Sequence, residues 1–260
     1  MSRIIGLVSG KGGVGKTTTA VNLASALVEH GLSAVVIDGN LDTPNVGVFL
    51  GNPVVDVSIH RVLQGKDSFL NATESHISGL DFVAGGLAGN AMRGVKHSRL
   101  KKIKELDHDF VLVDGPAGLG ADVQEMVKCL DEFVIVTNSE MPAITDALKT
   151  VKYLEGKKKK IVGIVVTRVK KDDLDVSLNS IEEMLEHPVI GMIPEDDHVR
   201  ESVFLKDTAV SAFPSSAVTK GYLRLGAGFA GIEYVEELSM LDKILGWFKW
   251  NGLRIRFWRG

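Results

Sequence analysis

Ser9-Gly10-Lys11-Gly12-Gly13-Val14-Gly15-Lys16-Thr17-Thr18 follows directly on an apolar run, Ile4-Ile5-Gly6-Leu7-Val8. Gly10, four residues, Gly15, Lys16 and Thr17 fit the phosphate-loop template. Glycines let backbone N–H groups turn inward around phosphate oxygens. The helix expected next offers free N–H groups and a positive dipole end to the same anion. In this template Lys16 reaches the β- and γ-phosphates, and the Thr17 hydroxyl holds Mg²⁺. Strand, loop, Lys-Thr and helix occur in the order that phosphate binding requires.

Outward from the loop, Lys16–His30 carries Ala20, Leu23, Ala24, Leu27 and Val28 on one helical face and ends at Gly31. Ala34-Val35-Val36-Ile37 reads as a second buried strand, with Asp38 at its carboxyl end. This β–loop–α–β order predicts a three-layer, doubly wound, mostly parallel sheet. Ligands in such sheets bind at the carboxyl ends of strands. Asp38 is therefore a candidate for the Mg²⁺ or its waters, within the loop Asp38-Gly39-Asn40-Leu41-Asp42-Thr43-Pro44-Asn45. Asp109-Phe110-Val111-Leu112-Val113-Asp114 is a buried strand ending in an acid, the Walker B pattern, so Asp114 is expected to polarise the metal's water shell. The Gly115-Pro116-Ala117-Gly118 turn after it could sense the γ-phosphate.

Further strands are expected at Leu80–Gly85 (leaving the core), Phe133–Thr137, Ile161–Thr167 and Pro188–Ile193. Helices are expected at Val46–Leu50, Ser58–Leu63, Arg93–Leu106 (basic-faced), Ala121–Leu130, Met141–Glu155, Ser177–Glu186, Val199–Leu205 and Ser216–Phe229. Pro142 is tolerated in the first turn of its helix, and Ser216 is a fair N-cap.

The 260 residues are 45% hydrophobic and 24% charged with net charge −3, which fits one globular α/β domain. The single cysteine, Cys129, excludes an internal disulfide framework and a four-cysteine metal site, fits a reducing compartment, and reads as a small hydrophobe. No signal peptide is expected, since the chain opens on a strand and the phosphate loop. No run of ~20 apolar residues predicts a spanning helix.

The second lysine of the loop, Lys11, narrows the family. Residues 10–17 resemble the deviant Walker A group, the class of MinD, ParA and the nitrogenase iron protein. The resemblance covers about residues 2–230 in four ordered blocks, and its Thr-Pro-Asn switch loop looks like the MinD-like proteins of archaea. It implies an ATPase that closes as an ATP- and Mg²⁺-dependent sandwich homodimer, with Lys11 reaching the partner's nucleotide. The site it implies comprises Gly10, Lys11, Gly12, Gly13, Val14, Gly15, Lys16, Thr17, Thr18 and Asn45. Catalysis would rest on Lys11, Lys16, Asp38, Asp114 and either Asn40 or Asp42. Metal contacts would come from Thr17, Asp38 and Asp114. The family's Asn-Arg and Ile-Pro-Glu-Asp segments, which read and pack on adenine, correspond to Thr167-Arg168 and to Ile193 with Pro194, Glu195 and Asp196.

Two positions depart from the family pattern. Asn40 stands where a carboxylate positions the attacking water, so slow hydrolysis is expected; an amide can orient water but cannot take a proton. Thr167 stands where an Asn reads the base. An iron–sulfur role is rejected, because one cysteine cannot supply the two cluster positions per subunit. Glu140 and Asp146 resemble residues bordering the family's dimer interface. The Lys157-Lys158-Lys159-Lys160 loop is either a solvated turn or a grip on DNA or lipid.

Residues 231–260 form an amphipathic extension. Leu241–Gly260 holds Lys243, Lys249, Arg254, Arg256 and Arg259 against Asp242, or +4, leaving −7 on the other 240 residues. All three tryptophans, Trp247, Trp250 and Trp258, lie in this stretch. Tyr234, Leu238, Leu241, Ile244 or Leu245, and Phe248 fall on one helical face. Cations interleaved with large aromatics suit an anionic lipid surface, each base adding roughly 1 kcal/mol. MinD proteins end in a membrane-targeting amphipathic helix, so the resemblance implies cytoplasmic, peripherally membrane-bound protein with membrane contact through Leu241–Trp258. Docking of the tail on its own domain or a partner, and nucleic acid, are the alternatives. The functional expectation is a MinD-like positioning ATPase with a possible activating partner. A ParA-like DNA-segregation ATPase, a FlhG-like regulator of motility-structure placement and a non-hydrolysing ATP-bound scaffold are its rivals.

Overall fold

A computed structural model describes residues 2–87, 91–170 and 176–234. Among these residues eight strands form one sheet: β1 (Arg3–Ser9), β2 (Ala34–Asp38), β3 (Glu74–Ser75), β4 (Asp81–Val83), β5 (Phe110–Ala117), β6 (Glu132–Asn138), β7 (Lys160–Val169) and β8 (Val189–Pro194). Their order is β3-β4-β2-β5-β1-β6-β7-β8. Every pairing is parallel except β3 with β4. The central strand β1 has β5 on one side and β6 on the other, so the loop after β1 lies where the strand order reverses, the usual ligand position in such sheets.

The helices are α1 (Lys16–Glu29), α2 (Val46–Phe49), α3 (Ile59–Gln64), α4 (Phe69–Ala72), α5 (Ala121–Cys129), α6 (Met141–Gly156), α7 (Leu178–Leu185), α8 (His198–Phe204), α9 (Ala209–Ala212) and α10 (Ala217–Ala230). Successive strand residues point to opposite faces. Ile5, Leu7, Val36, Leu112 and Val134 accordingly pack against α1, α9 and α10. Val8, Val35, Ile37, Val113 and Ile135 pack against α3, α5, α6 and α7. Both faces are covered, which is why the strands read as continuous apolar runs.

Two expectations change. Arg93–Leu106 is not an α-helix; His97–Glu105 forms a 3₁₀ helix. Leu100, Ile103 and Leu106, spaced by three, are all buried, and that spacing matches three residues per turn better than 3.6. Leu80–Gly85 does not leave the core: Leu80, Phe82 and Val83 are buried, and β4 pairs with β2. The short pieces β3, α4 and α9 are too brief to show any period. Of the four-lysine loop, Lys159 pairs with Asp131 at 3.1 Å and Lys160 with Glu132 at 3.0 Å. Cys129 is half-buried, its Sγ 3.4 Å from the His97 carbonyl, and burial raises its thiol pKa. Ser216 caps α10 as expected, its hydroxyl accepting from the Thr219 N–H. No helix among the described residues is long and apolar enough to cross a membrane. The expectations for 235–260, the tail's amphipathic face and lipid contact among them, lie outside the described residues.

Candidate nucleotide site

The loop from β1 to α1 turns tightly because Gly13 (φ +79°) and Gly15 (φ +86°) take left-handed conformations that cost a glycine little. Gly10 is pinned from outside: a Cβ there would stand 2.2 Å from the backbone carbonyl of Asp146 on α6. A cleft of about 620 Å³ opens above the loop, lined by Gly12, Gly13, Val14, Gly15, Lys16, Thr17 and Thr18. The loop after β2 adds Asn40, Asp42, Thr43 and Asn45. Pro116 and Ala117 at the end of β5, Gly120 and Asp122 beside it, and Arg168 of β7 close the walls. Arg168 sits at φ +53°, a strained conformation for an arginine.

Asp114 anchors the floor. It is fully buried, with Lys16 Nζ 3.2 Å from Oδ1 and the Thr17 hydroxyl donating to Oδ2 at 2.5 Å. Donation points the Thr17 proton at Asp114 and leaves the hydroxyl oxygen's lone pairs for a cation. A hydroxyl oxygen with a carboxylate behind it is the hard-oxygen donor set that Mg²⁺ prefers, so these residues fit the metal the motif implies.

Asp38 is also fully buried and pairs in register with Asp114 on the adjacent strand. Its Oδ2 accepts from the Asn45 and Val46 N–H groups at 2.8 and 2.9 Å, and Oδ1 from Asn40 N–H at 3.3 Å. Burial, reinforced by the Asp114 charge and opposed by these bonds, pushes its pKa up to about 7. Asp38 therefore ties down the loop beneath the cleft rather than lining it.

The remaining expected residues divide. Asn40 lines the cleft, but its amide donates to the Thr43 carbonyl and hydroxyl at 2.7 and 2.9 Å. Thr167 is buried and turned inward, its hydroxyl 2.6 Å from the Val14 carbonyl and 3.1 Å from that of Thr137. It braces the phosphate loop from behind and does not line the cleft. Pro194, Glu195 and Asp196 do not line this cleft. Asp196 accepts from the N–H groups of His198 and Val218, and Glu195 lies 3.6 Å from Lys170. Lys11 does not line it either: half exposed, it reaches only Glu140, at 4.0 Å.

Asp122 was not foreseen. It stands in the first turn of α5, with His97 Nε2 3.3 Å from its carboxylate. Burial and then the nearby Asp42 raise its pKa. An acid in a helix's first turn is too common a signal to mark a site.

Residues 5–208 match the model of the CobQ/CobB/MinD/ParA nucleotide binding domain. The chain is 31% identical over 242 residues to an uncharacterized ATP-binding protein of Methanocaldococcus jannaschii, covering 92% of each chain. It superposes on the cell division ATPase MinD of Pyrococcus furiosus with TM-score 0.84 at 32% identity, covering 89% of this chain and 99% of that one. Against the septum site-determining protein MinD of Pyrococcus horikoshii, complexed with Mg-ADP, the TM-score is 0.83 at 30% identity, covering 88% and 96%.

Proposed function

The chain belongs to the CobQ/CobB/MinD/ParA nucleotide-binding family, and from that premise we propose an ATP-dependent dimerising switch of MinD type that binds a membrane surface reversibly. It binds ATP or ADP with Mg²⁺. The loop N–H groups would hold the phosphates, Lys16 would turn from Asp114 to the β- and γ-oxygens, and Thr17 and Asp114 would hold Mg²⁺ and its waters. Bound Mg²⁺ would supply charge neutralisation for phosphoryl transfer. Asn40 and Asp42 line the cleft and would orient the attacking water.

The position of Lys11 carries the dimer reading. A loop lysine turned out of its own cleft, beside Glu140, could enter a second subunit's site. Two-fold closure brings two copies of the 231–260 extension together. Two weak anchors then act as one strong one, because the second binds at high effective concentration. Hydrolysis, triggered by a protein partner, releases both. The cellular role that fits is spatial placement in division. The protein is cytoplasmic, held at the membrane face only in its ATP state.

Flotation with anionic vesicles tests this. The full chain with ATP should float, and the ADP form and a chain ending at Leu241 should stay in the soluble fraction; equal behaviour of all three would remove the reading. Lys11→Ala should still bind nucleotide yet stay monomeric with ATP in sedimentation.

A further inference from the structure

We propose that a second cleft, remote from the phosphate loop, docks an acidic segment of a partner protein that carries an apolar anchor. The cleft has a volume of about 830 Å³ and is lined by residues of α3 together with Val54, Leu87 and Arg93. Arg61, Lys66 and Arg93 line it against one acid, Asp56. Arg61 is shared with Asp67 at 3.3 Å. Lys66 and Arg93 are exposed and have no ion-pair partner among the described residues. Among these cations stand two uncovered apolar side chains, Val54 at 80% and Leu87 at 55% exposure.

The charge of the segment that begins at the cleft with Arg93 is one-sided. Residues 91–104 hold six cations, Arg93, Lys96, Arg99, Lys101, Lys102 and Lys104, and no acid, on a chain whose first 240 residues sum to −7. The 3₁₀ turn buries Leu100 and Ile103 in one row and leaves Lys101, Lys102 and Lys104 outward. A field of this sign draws an acidic partner and sets its orientation. Concavity and the apolar pair select the class of polyanion. A bilayer cannot enter a cleft, and a duplex would leave Val54 and Leu87 uncovered. An acidic peptide with one apolar side chain satisfies both.

The cleft floor also touches the loop after β2, whose neighbouring residues line the nucleotide cleft. His60 is buried; its Nδ1 accepts from the Gly86 N–H at 2.9 Å, and Nε2 donates to the Leu41 carbonyl at 3.0 Å. Leu41 belongs to the loop that Asp38 ties down. Gly85 packs so closely on Pro44 of that loop that a Cβ would meet it at 2.1 Å. Rearrangement of residues 40–45 around a nucleotide therefore reaches the cleft wall, and peptide affinity should differ between ATP-bound and nucleotide-free protein.

The test uses the full chain and a fluorescein-labelled peptide of alternating Glu and Asp around a central leucine, read by anisotropy at low salt. Docking does not depend on the ATP-driven dimer, so the nucleotide-free protein separates the two readings. Saturable binding is expected, about 10-fold weaker in Arg93→Glu and in Val54→Asp and unchanged in Lys158→Glu. A leucine-free peptide that binds as tightly, or equal loss in Lys158→Glu, would reduce the effect to diffuse attraction and overturn the proposal. Duplex DNA or anionic vesicles binding through Arg93 when the peptide does not would overturn it too. Identical peptide affinity with and without ATP would remove the link through His60.

Discussion

Asp38 and Asp114 place two buried carboxylates side by side on neighbouring strands, with one lysine, Lys16, between them and the cleft. Lys16 serves Asp114, so Asp38 bears the unfavourable charge. Its pKa rises from 3.8 to about 7, by burial first and the Asp114 charge second. A group raised in the folded state contributes stability below its unfolded pKa and loses it as pH rises through the folded one. In metal-free, nucleotide-free protein, urea unfolding should therefore show the wild type losing stability relative to Asp38→Asn between about pH 4 and 7. A constant difference across that window would contradict the assignment. Asn40 gives a second residue-scale prediction. Its amide ties up Thr43, so Asn40→Asp both frees the loop and supplies a carboxylate, while Asn40→Ala only frees it. Phosphate release should quicken in the aspartate variant alone. Matching rates in the two variants would show that loop release, not a missing base, sets turnover.

Between elements, α1 is the junction. Its Asn22 is fully buried; the amide donates to the Thr18 carbonyl and its oxygen accepts from Ala209 and Val210 at 2.7 and 3.3 Å. One side chain thus ties the helix behind the phosphate loop to the N-terminus of α9. Asn22→Ala strands these N–H groups, and stability in urea should fall by about 2–4 kcal/mol. A loss near zero would mean that water replaces the amide. Long elements were legible in the sequence because burial on both sheet faces writes apolar runs into strands, and the helices carry amphipathic stripes. β3 and α9, of two and four residues, carry no period to read. The segment from 93 to 106 was misjudged because lysines at mixed spacing resemble a solvated α-helical face. Only the row of Leu100, Ile103 and Leu106 separates three residues per turn from 3.6.

For the whole molecule, the two described core faces are complete by Ala230, where α10 ends at Gly231 in a left-handed cap. A chain ending at Leu241 should therefore keep its melting temperature and nucleotide affinity while its net charge moves from −3 to −7. A lower melting temperature would show that the extension packs on the domain, the rival reading of its aromatic residues. The paired state of Lys159 and Lys160 leaves the loop after α6 a weak candidate for DNA. Lys66 and Arg93, which line the second cleft, have no ion-pair partner among the described residues.

The sequence by itself determined the phosphate loop, the parallel sheet and the two acids at strand ends. Each of these is a local pattern: glycines at fixed offsets, apolar runs, a carboxylate closing a strand. Only the tertiary structure decided what the side chains in those patterns face. Asp38 turns into backbone N–H groups, Thr167 braces Val14, Asp196 takes up the Val218 N–H, and Lys11 leaves its own cleft. The reason is geometric. A motif fixes where a residue sits along the chain, but the direction of its donors and acceptors is set by elements dozens of residues away. The second cleft shows the same rule, since Val54, Arg61 and Arg93 share no motif and meet only when α3 folds beside the 3₁₀ turn.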